Sequence, residues 1–376
     1  MTAVTQTSTE RRISPLFNDQ KFKLGLFGQN TSGGLTMSSA ATTFRHTWEH
    51  NLEIARRADD LGLEMLLSAG RWKSIAGTSE FNRASWDTYA WAAGVAQATS
   101  NIQVVTTTHL PTVHPLMAAK QIATIDAISN GRAALNLVMG WNNPEIEMFS
   151  TQLPHDDRYV YGAEWIEVVT RVWAEEDPFD YAGKYFTVPG AESQPKPVQS
   201  PRPVLINAGN SPAGKEFSAR YMDFNFVAVQ TPDQAKAEVE QVRALARDKY
   251  DREIGVMTYC YVICKETEKE AQAVRAEILE KGDRDAVFNV VSQYDPAGVM
   301  GMADMVRNSP EAYNSFIMGS GSFPIIGTPE QVSEQFEELS GLGLDGAVMI
   351  MLDYNEDVKF FGESVLPLMK KAGIRH

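Results

Sequence analysis

Arg71, Thr107, His109, Asn136, Trp141, Glu145 and Ser211 each stand in or just past an apolar run of strand length. They supply a guanidinium, hydroxyls, an imidazole, an amide, an indole and a carboxylate. Asn136 lies inside the run 133–138, where an amide must find partners or cost on the order of a few kcal/mol. Trp141, Asn142, Asn143 and Glu145 follow Gly140 at the end of the same run. Gly209-Asn210-Ser211-Pro212-Ala213-Gly214 puts Ser at an N-cap and Pro at the first helical position, which leaves backbone NH groups free at a strand's C-terminal mouth. Such an end attracts a phosphate, although the same pattern also describes an ordinary capped helix. Six histidines without HxH or HExxH spacing give no metal site, and without a G-x-S-x-G elbow serine hydrolysis has no support.

These residues come from segments far apart, so a repeating scaffold must gather them. Apolar runs at 21–28, 63–68, 102–109, 133–138, 204–208, 223–229, 255–264 and 346–352 read as strands. Between them run helical patterns at 43–61, 87–98, up to the stop Asn130-Gly131, after Asp156-Asp157-Arg158-Tyr159, at 231–251, 267–280 and 328–339. Residues 179–188, with Gly183 at the turn, predict a hairpin, and 195–203 a proline-stiffened connector. The count closes at eight strands, which predicts an α/β fold of the TIM (β/α)8 type with its reactive face at the strands' C-terminal ends. Residues 283–321 break the rhythm and read as an insertion or lid. Residues 1–20 read as a flexible arm before one barrel domain, 21–376.

With 43% hydrophobic and 22% charged residues, the 376-residue chain can bury a sizeable core. A net charge of -14 argues against nucleic acid or an anionic membrane as partner. Cys260 and Cys264 are too few for a disulfide scaffold and read as same-face core thiols. No signal peptide or membrane span is evident, so a cytoplasmic location is expected.

The segment ATIDAISNGR (123–132) followed by NLVMGWNNPE (136–145) resembles the ATID…GGR and N-(V/L)-V-(T/S)-G-W-x-x-P-E pattern of bacterial luciferase-like flavin monooxygenases. The likeness is greatest to the pyrimidine and dimethyl sulfone monooxygenases. It runs from about 23 to 368 and is weakest over 282–321.

This resemblance implies a luciferase-type barrel using reduced FMN (FMNH2) and O2, with a separate NAD(P)H:flavin reductase, in a homodimer or homotetramer. It assigns Gly70, Arg71, Asn136 and Glu145 to the flavin ring, and Arg158 and Tyr159 to holding FMN, whose phosphate would lie at the cradle that the capping pattern places at Ser211. Thr107 and Asn136 match the pair proposed to hold dioxygen against flavin N5 rather than C4a, as a flavin-N5-peroxide forms. A hydroxyl and an amide can donate to that developing anion without a metal. Ala69, Trp141 and His109 fall on the substrate side. His109 is better placed than His114 to act as acid or base. Ala69-Gly70 replaces bulky Met-Ile of the pyrimidine enzymes and Met139 replaces their Thr, changes expected to open the pocket wall and alter its polarity.

The expected activity is cleavage of a C–N bond in a planar N-heterocycle or cyclic amide, with a substrate other than uracil. The alternatives are C–S cleavage of a sulfone or sulfonate, a flavin-binding barrel without catalysis, and a coenzyme F420 dehydrogenase on the same fold.

Overall fold

Eight parallel strands close on themselves because each apolar run is followed by an amphipathic stretch that returns the chain to the same end of the sheet. The structure, a computed structural model, describes residues 14–75, 77–149, 153, 157–295, 298 and 301–376. Asp156 of the sequence reading lies outside the described residues. In chain order the strands are β1 (Lys23–Phe27), β2 (Met65–Leu67), β3 (Gln103–His109), β4 (Ala133–Val138), β5 (Phe179–Ala182), β6 (Thr187–Ala191), β7 (Val204–Asn207), β8 (Phe224–Val227), β9 (Gly255–Cys264), β10 (Phe323–Gly327) and β11 (Gly346–Ile350). The closed order is β9-β11-β1-β2-β3-β4-β7-β8 and back to β9, all parallel, which makes the fold a TIM barrel. β10 runs beside the upper half of β9, and β5 and β6 form the expected hairpin outside the barrel.

The helices are α1 (Trp48–Asp60), α2 (Thr88–Ala98), α3 (Pro115–Ser129), α4 (Asn143–Glu147), α5 (Arg158–Ala174), α6 (Pro212–Tyr221), α7 (Pro232–Tyr250), α8 (Glu268–Glu280), α9 (Arg284–Tyr294), α10 (Met302–Asn308), α11 (Pro310–Ile317), α12 (Pro329–Gly341), α13 (Glu356–Ser364) and α14 (Leu366–Lys371). Local chemistry sets their ends. Asn130 adopts φ 54°, the left-handed conformation that stops α3 before β4. The predicted helix start at 43 is corrected to Trp48, because Thr47 is the cap and the Asp353 carboxylate holds Thr43 by its backbone NH and hydroxyl. Among the described residues no helix is long and apolar enough to cross a membrane.

Three apolar clusters divide the interior. The largest lies between sheet and helices and contains both cysteines, whose thiol pKa values burial pushes up. A second fills the barrel, with Met65, Leu67, Val105, Ala134, Val204, Ile206, Phe224, Phe226, Met257 and Val348 contributed strand by strand. Leu16 closes its lower end. The flexible arm expected over 1–20 is corrected in part: residues 1–13 lie outside the described residues, but Leu16 is fully buried and Ser14 donates to Gln103 Oε1 at 2.6 Å. Beside this plug the buried Arg375 guanidinium binds both Glu64 oxygens, at 2.7 and 3.0 Å, and the carbonyls of Phe22 and Gly62.

The third cluster caps the opposite end. It joins Leu35 and Met37 from the β1–α1 loop, Ile75 and Phe81 from the β2–α2 loop, and Val287, Val290, Val306 and Ile317 from α9, α10 and α11. The insertion predicted over 283–321 therefore forms three helices packed over the mouth. Asp283 bolts it down: its carboxylate caps α9 at Ala286 and accepts from the Ser79 backbone NH and hydroxyl at 2.6 and 2.7 Å.

Candidate functional site

β3 and β4 lie in register with Thr107 opposite Asn136. Val105 and Ala134 belong to the barrel's interior cluster, and side chains two residues on along a strand share a face. Thr107 and Asn136 therefore stand directly above the apolar plug. Asn136 Nδ2 donates to Thr107 Oγ1 at 3.0 Å, while Thr107 donates its own proton to the Ser68 carbonyl. Ser68 Oγ accepts from the Thr107 backbone NH at 3.0 Å. Asn136 Oδ1 is buried without a hydrogen-bond partner among the described residues. The expectation that both side chains offer donors is corrected for Thr107: the amide keeps a second N–H, but the hydroxyl's proton is committed to the Ser68 carbonyl.

One more step along β3 brings His109 to Glu145. His109 Nδ1 lies 3.5 Å from Glu145 Oε2, with both side chains essentially removed from solvent. The loop expected after Gly140 contains the short helix α4, which Asn142 caps by accepting from Glu145 N. That turn carries Glu145 under the β2–α2 loop, where Oε1 accepts from the Trp72 and Lys73 NH groups at 3.0 Å each. Burial, aided by the Arg71 charge, lowers the His109 pKa to about 3. Burial dominates, so the imidazole is neutral. A neutral ring with its Nδ1 proton toward Glu145 leaves the Nε2 lone pair on the side of Gly70, where an added Cβ would lie 3.8 Å away.

Arg71 donates to the Gly70 carbonyl and lays its guanidinium 4.6 Å from the Trp141 ring centre. Trp141 in turn stacks on Tyr294 of α9 at 4.4 Å. A narrow cleft lined by Gly70, Arg71, Trp86, Thr88, Thr107 and His109 reaches this group. Ala69 is buried, and Asn30 holds its backbone at both ends, Oδ1 to the NH at 2.7 Å and Nδ2 to the carbonyl at 2.8 Å. Met139 departs from expectation. It faces outward in the large cluster, its sulfur against Gly162 of α5, so its replacement of Thr does not alter the pocket wall.

Ser211 caps α6 by accepting from Gly214 N at 3.1 Å, and the Tyr159 hydroxyl sits 3.4 Å from Ser211 Oγ. A Cβ added at Gly214 would lie 2.6 Å from that hydroxyl and 2.7 Å from Gly209 Cα, so the cradle depends on two side-chain-free positions. Arg158 is engaged elsewhere, clamping the loop after β4 through Gly140 O at 2.6 Å and Asn143 Oδ1 at 2.7 Å. His114 is an N-cap, accepting from Leu116 N.

Several supporting residues escaped the sequence reading. Asn207 Oδ1 accepts from Gly209 N at 2.7 Å and from Ser218 Oγ at 3.0 Å, and Asn225 donates to Asn207 O and Ser218 Oγ, so a buried amide network props the cradle. The clue was amides inside two apolar runs, the same signal that exposed Asn136. Gln29, fully buried past β1 with neither amide atom partnered among the described residues, had no local signal at all.

A parallel barrel whose polar side chains meet at the strands' C-terminal ends, over an apolar plug and under a helical lid, has the architecture of a TIM-barrel enzyme. The profile of the luciferase-like monooxygenase family matches residues 22–346, and the chain belongs to that family. It is 30% identical over 356 residues to an FMNH2-dependent dimethylsulfone monooxygenase of Pseudomonas putida, covering 94% of this chain and 96% of that protein. It is 31% identical over 362 residues to the pyrimidine monooxygenase RutA of a Bradyrhizobium species, covering 94% and 98%. Among solved structures, a riboflavin lyase with modified FMN and riboflavin superposes with a TM-score of 0.84 at 22% identity, over 94% of this chain and 92% of that one. That last likeness speaks to the fold alone. The resemblance read from residues 123–145 thus holds for family and fold, and the chain is a flavin-dependent monooxygenase.

Proposed function

We propose that this monooxygenase takes reduced FMN from a separate NAD(P)H-dependent flavin reductase and uses O2 to cleave a C–N bond of a planar N-heterocycle or cyclic amide. The residues present fit the cofactor. Gly209 and Gly214 leave a cradle that a Cβ would fill, with Ser211 and Tyr159 beside it. Deeper in, Asn136 Oδ1 and Arg71 Nε are buried polar atoms without hydrogen-bond partners among the described residues, an arrangement costly unless a ligand completes it. Ser211, Tyr159 and the start of α6 would hold the phosphate. Gly70, Arg71, Asn136 and Glu145 would meet the ring.

Reduced FMN, when bound, supplies the electrons that activate dioxygen. The chain supplies the rest. Asn136, aimed by Thr107, offers an N–H toward charge developing on oxygen above a dry floor. Neutral His109 offers Nε2 as a hydrogen-bond acceptor toward the substrate side. Trp141 walls the ring, and the lid excludes water.

The observation that carries this reading is the Thr107–Asn136 pair held over the apolar plug. The test mixes protein with photoreduced FMN, O2 and candidate rings and analyses the products. A ring-opened amide supports the proposal. Sulfite from a sulfone would replace it with C–S cleavage, and flavin reoxidation to hydrogen peroxide with no organic product would leave a flavin-binding barrel. Small Ala69 and Gly70 favour a ring larger than uracil, and turnover of uracil but of no bulkier system would count against that part.

A further inference from the structure

Two phenols at the mouth have no role in the scheme above. Tyr259 comes from β9, two residues past Met257 of the interior cluster, and packs against both that cluster and the one beneath the lid. Tyr294 is the last residue of α9 and packs against the lid cluster, stacked on Trp141 at an interplanar angle of 29°. Both are half-buried, and neither hydroxyl has a hydrogen-bond partner among the described residues. Tyr259, Tyr294 and Trp141 all pack against that same lid cluster. The Arg71 guanidinium also lies 4.6 Å from the Trp141 ring.

We infer that Tyr259 and Tyr294 are specificity-determining residues which, with Arg71, grip the oxygen-bearing edge of a planar substrate ring that carries negative charge, such as a cyclic imide anion. The inference rests on the flavin-oxygenase reading and narrows its substrate class. The chemistry follows from the groups. A guanidinium only donates hydrogen bonds, and burial keeps both phenols protonated, so the three together present donors to one region. Donors of this kind match adjacent carbonyl or oxyanion acceptors, and a charged acceptor strengthens each bond. Trp141, Tyr294 and Phe27 supply the aromatic surface that favours a flat ring. With 4.4 Å between their centroids, Trp141 and Tyr294 leave no room for a third ring between them, so the substrate lies beside the stack. Because Tyr294 arrives on α9, the lid supplies part of the recognition as well as cover.

The test uses the full chain with oxidised FMN bound and measures equilibrium binding of barbiturate, a cyclic imide charged at neutral pH, against thymine, a neutral cyclic imide of similar ring size. Wild type is expected to bind barbiturate at least about tenfold more tightly. Tyr259→Phe and Tyr294→Phe keep the rings and the packing. Each is expected to lose about tenfold for barbiturate, little for thymine and nothing for FMN. Equal binding of the two probes, or unchanged barbiturate binding in both variants while FMN stays bound, overturns the inference and leaves the flavin reading standing. Failure of wild type to bind FMN at all removes that reading and this inference with it.

Discussion

Asn136 donates to Thr107 across two neighbouring strands at 3.0 Å, and the Thr107 hydroxyl donates in turn to the Ser68 carbonyl. The hydroxyl thus orients an amide whose remaining N–H is the group available to a ligand. Thr107→Val keeps the shape and removes the oxygen. Turnover with reduced FMN and O2 is expected to fall about 10²- to 10³-fold, the loss typical of one misplaced donor to a developing oxyanion. FMN affinity should stay within about twofold, as equilibrium titration would register; a variant with full turnover would strip the pair of its role.

Gly214 faces the Tyr159 hydroxyl and Gly209 with no space for a side chain. Gly214→Ala must spread the cradle, and FMN binding is expected to weaken by about tenfold or more while the circular dichroism spectrum is retained. Unaltered FMN affinity would move the phosphate elsewhere.

The pH dependence of stability follows from His109. Its folded pKa, about 3, lies below the ordinary 6.5, so the unfolded chain binds the proton first. The contribution is present in full above pH 6.5 and is lost as pH falls toward 3, by up to about 1.4 kcal/mol per pH unit. Urea midpoints for wild type and His109→Gln should therefore diverge less as pH drops from 7 to 5. Parallel curves over that window would mean that Glu145 holds the ring charged in the fold.

Asp283 ties the first lid helix to the β2–α2 loop. Its burial raises the carboxyl pKa, but hydrogen bonds from Ser79 and Ala286 outweigh this and hold it below the usual range. The latch is therefore intact at neutral pH and weakens only as acid reaches that lowered pKa. Asp283→Ala is expected to cost about 1–2 kcal/mol as a lost cap and to speed hydrogen exchange at both Ser79 and Ala286. Faster exchange confined to one side would show that the two segments are not coupled.

At the other end of the barrel, Arg375→Met strands the buried Glu64 carboxylate. A loss of about 3–5 kcal/mol in urea unfolding is expected, with kcat nearly unchanged at low temperature because the site lies at the opposite face. A fall in kcat without a fall in stability would contradict that separation.

Strand and helix identity was written locally. The run 133–138 coincides with β4, Asn130 ends α3, and Ser211 with Pro212 starts α6, because burial period, left-handed turns and caps act within a few residues. An amide inside an apolar run also declared Asn136, since such a group must be satisfied wherever the strand packs. What the sequence left open was partnership across distance. Nothing in the order of residues says that Glu145 takes its hydrogen bonds from Trp72 and Lys73, that Arg158 serves a loop clamp, that Met139 faces outward, or that Tyr294 reaches Trp141. Those depend on barrel closure, strand register and the seating of the lid, which bring together side chains separated by tens to hundreds of residues. Local propensity carries no information about them; only the packed chain selects which polar groups meet.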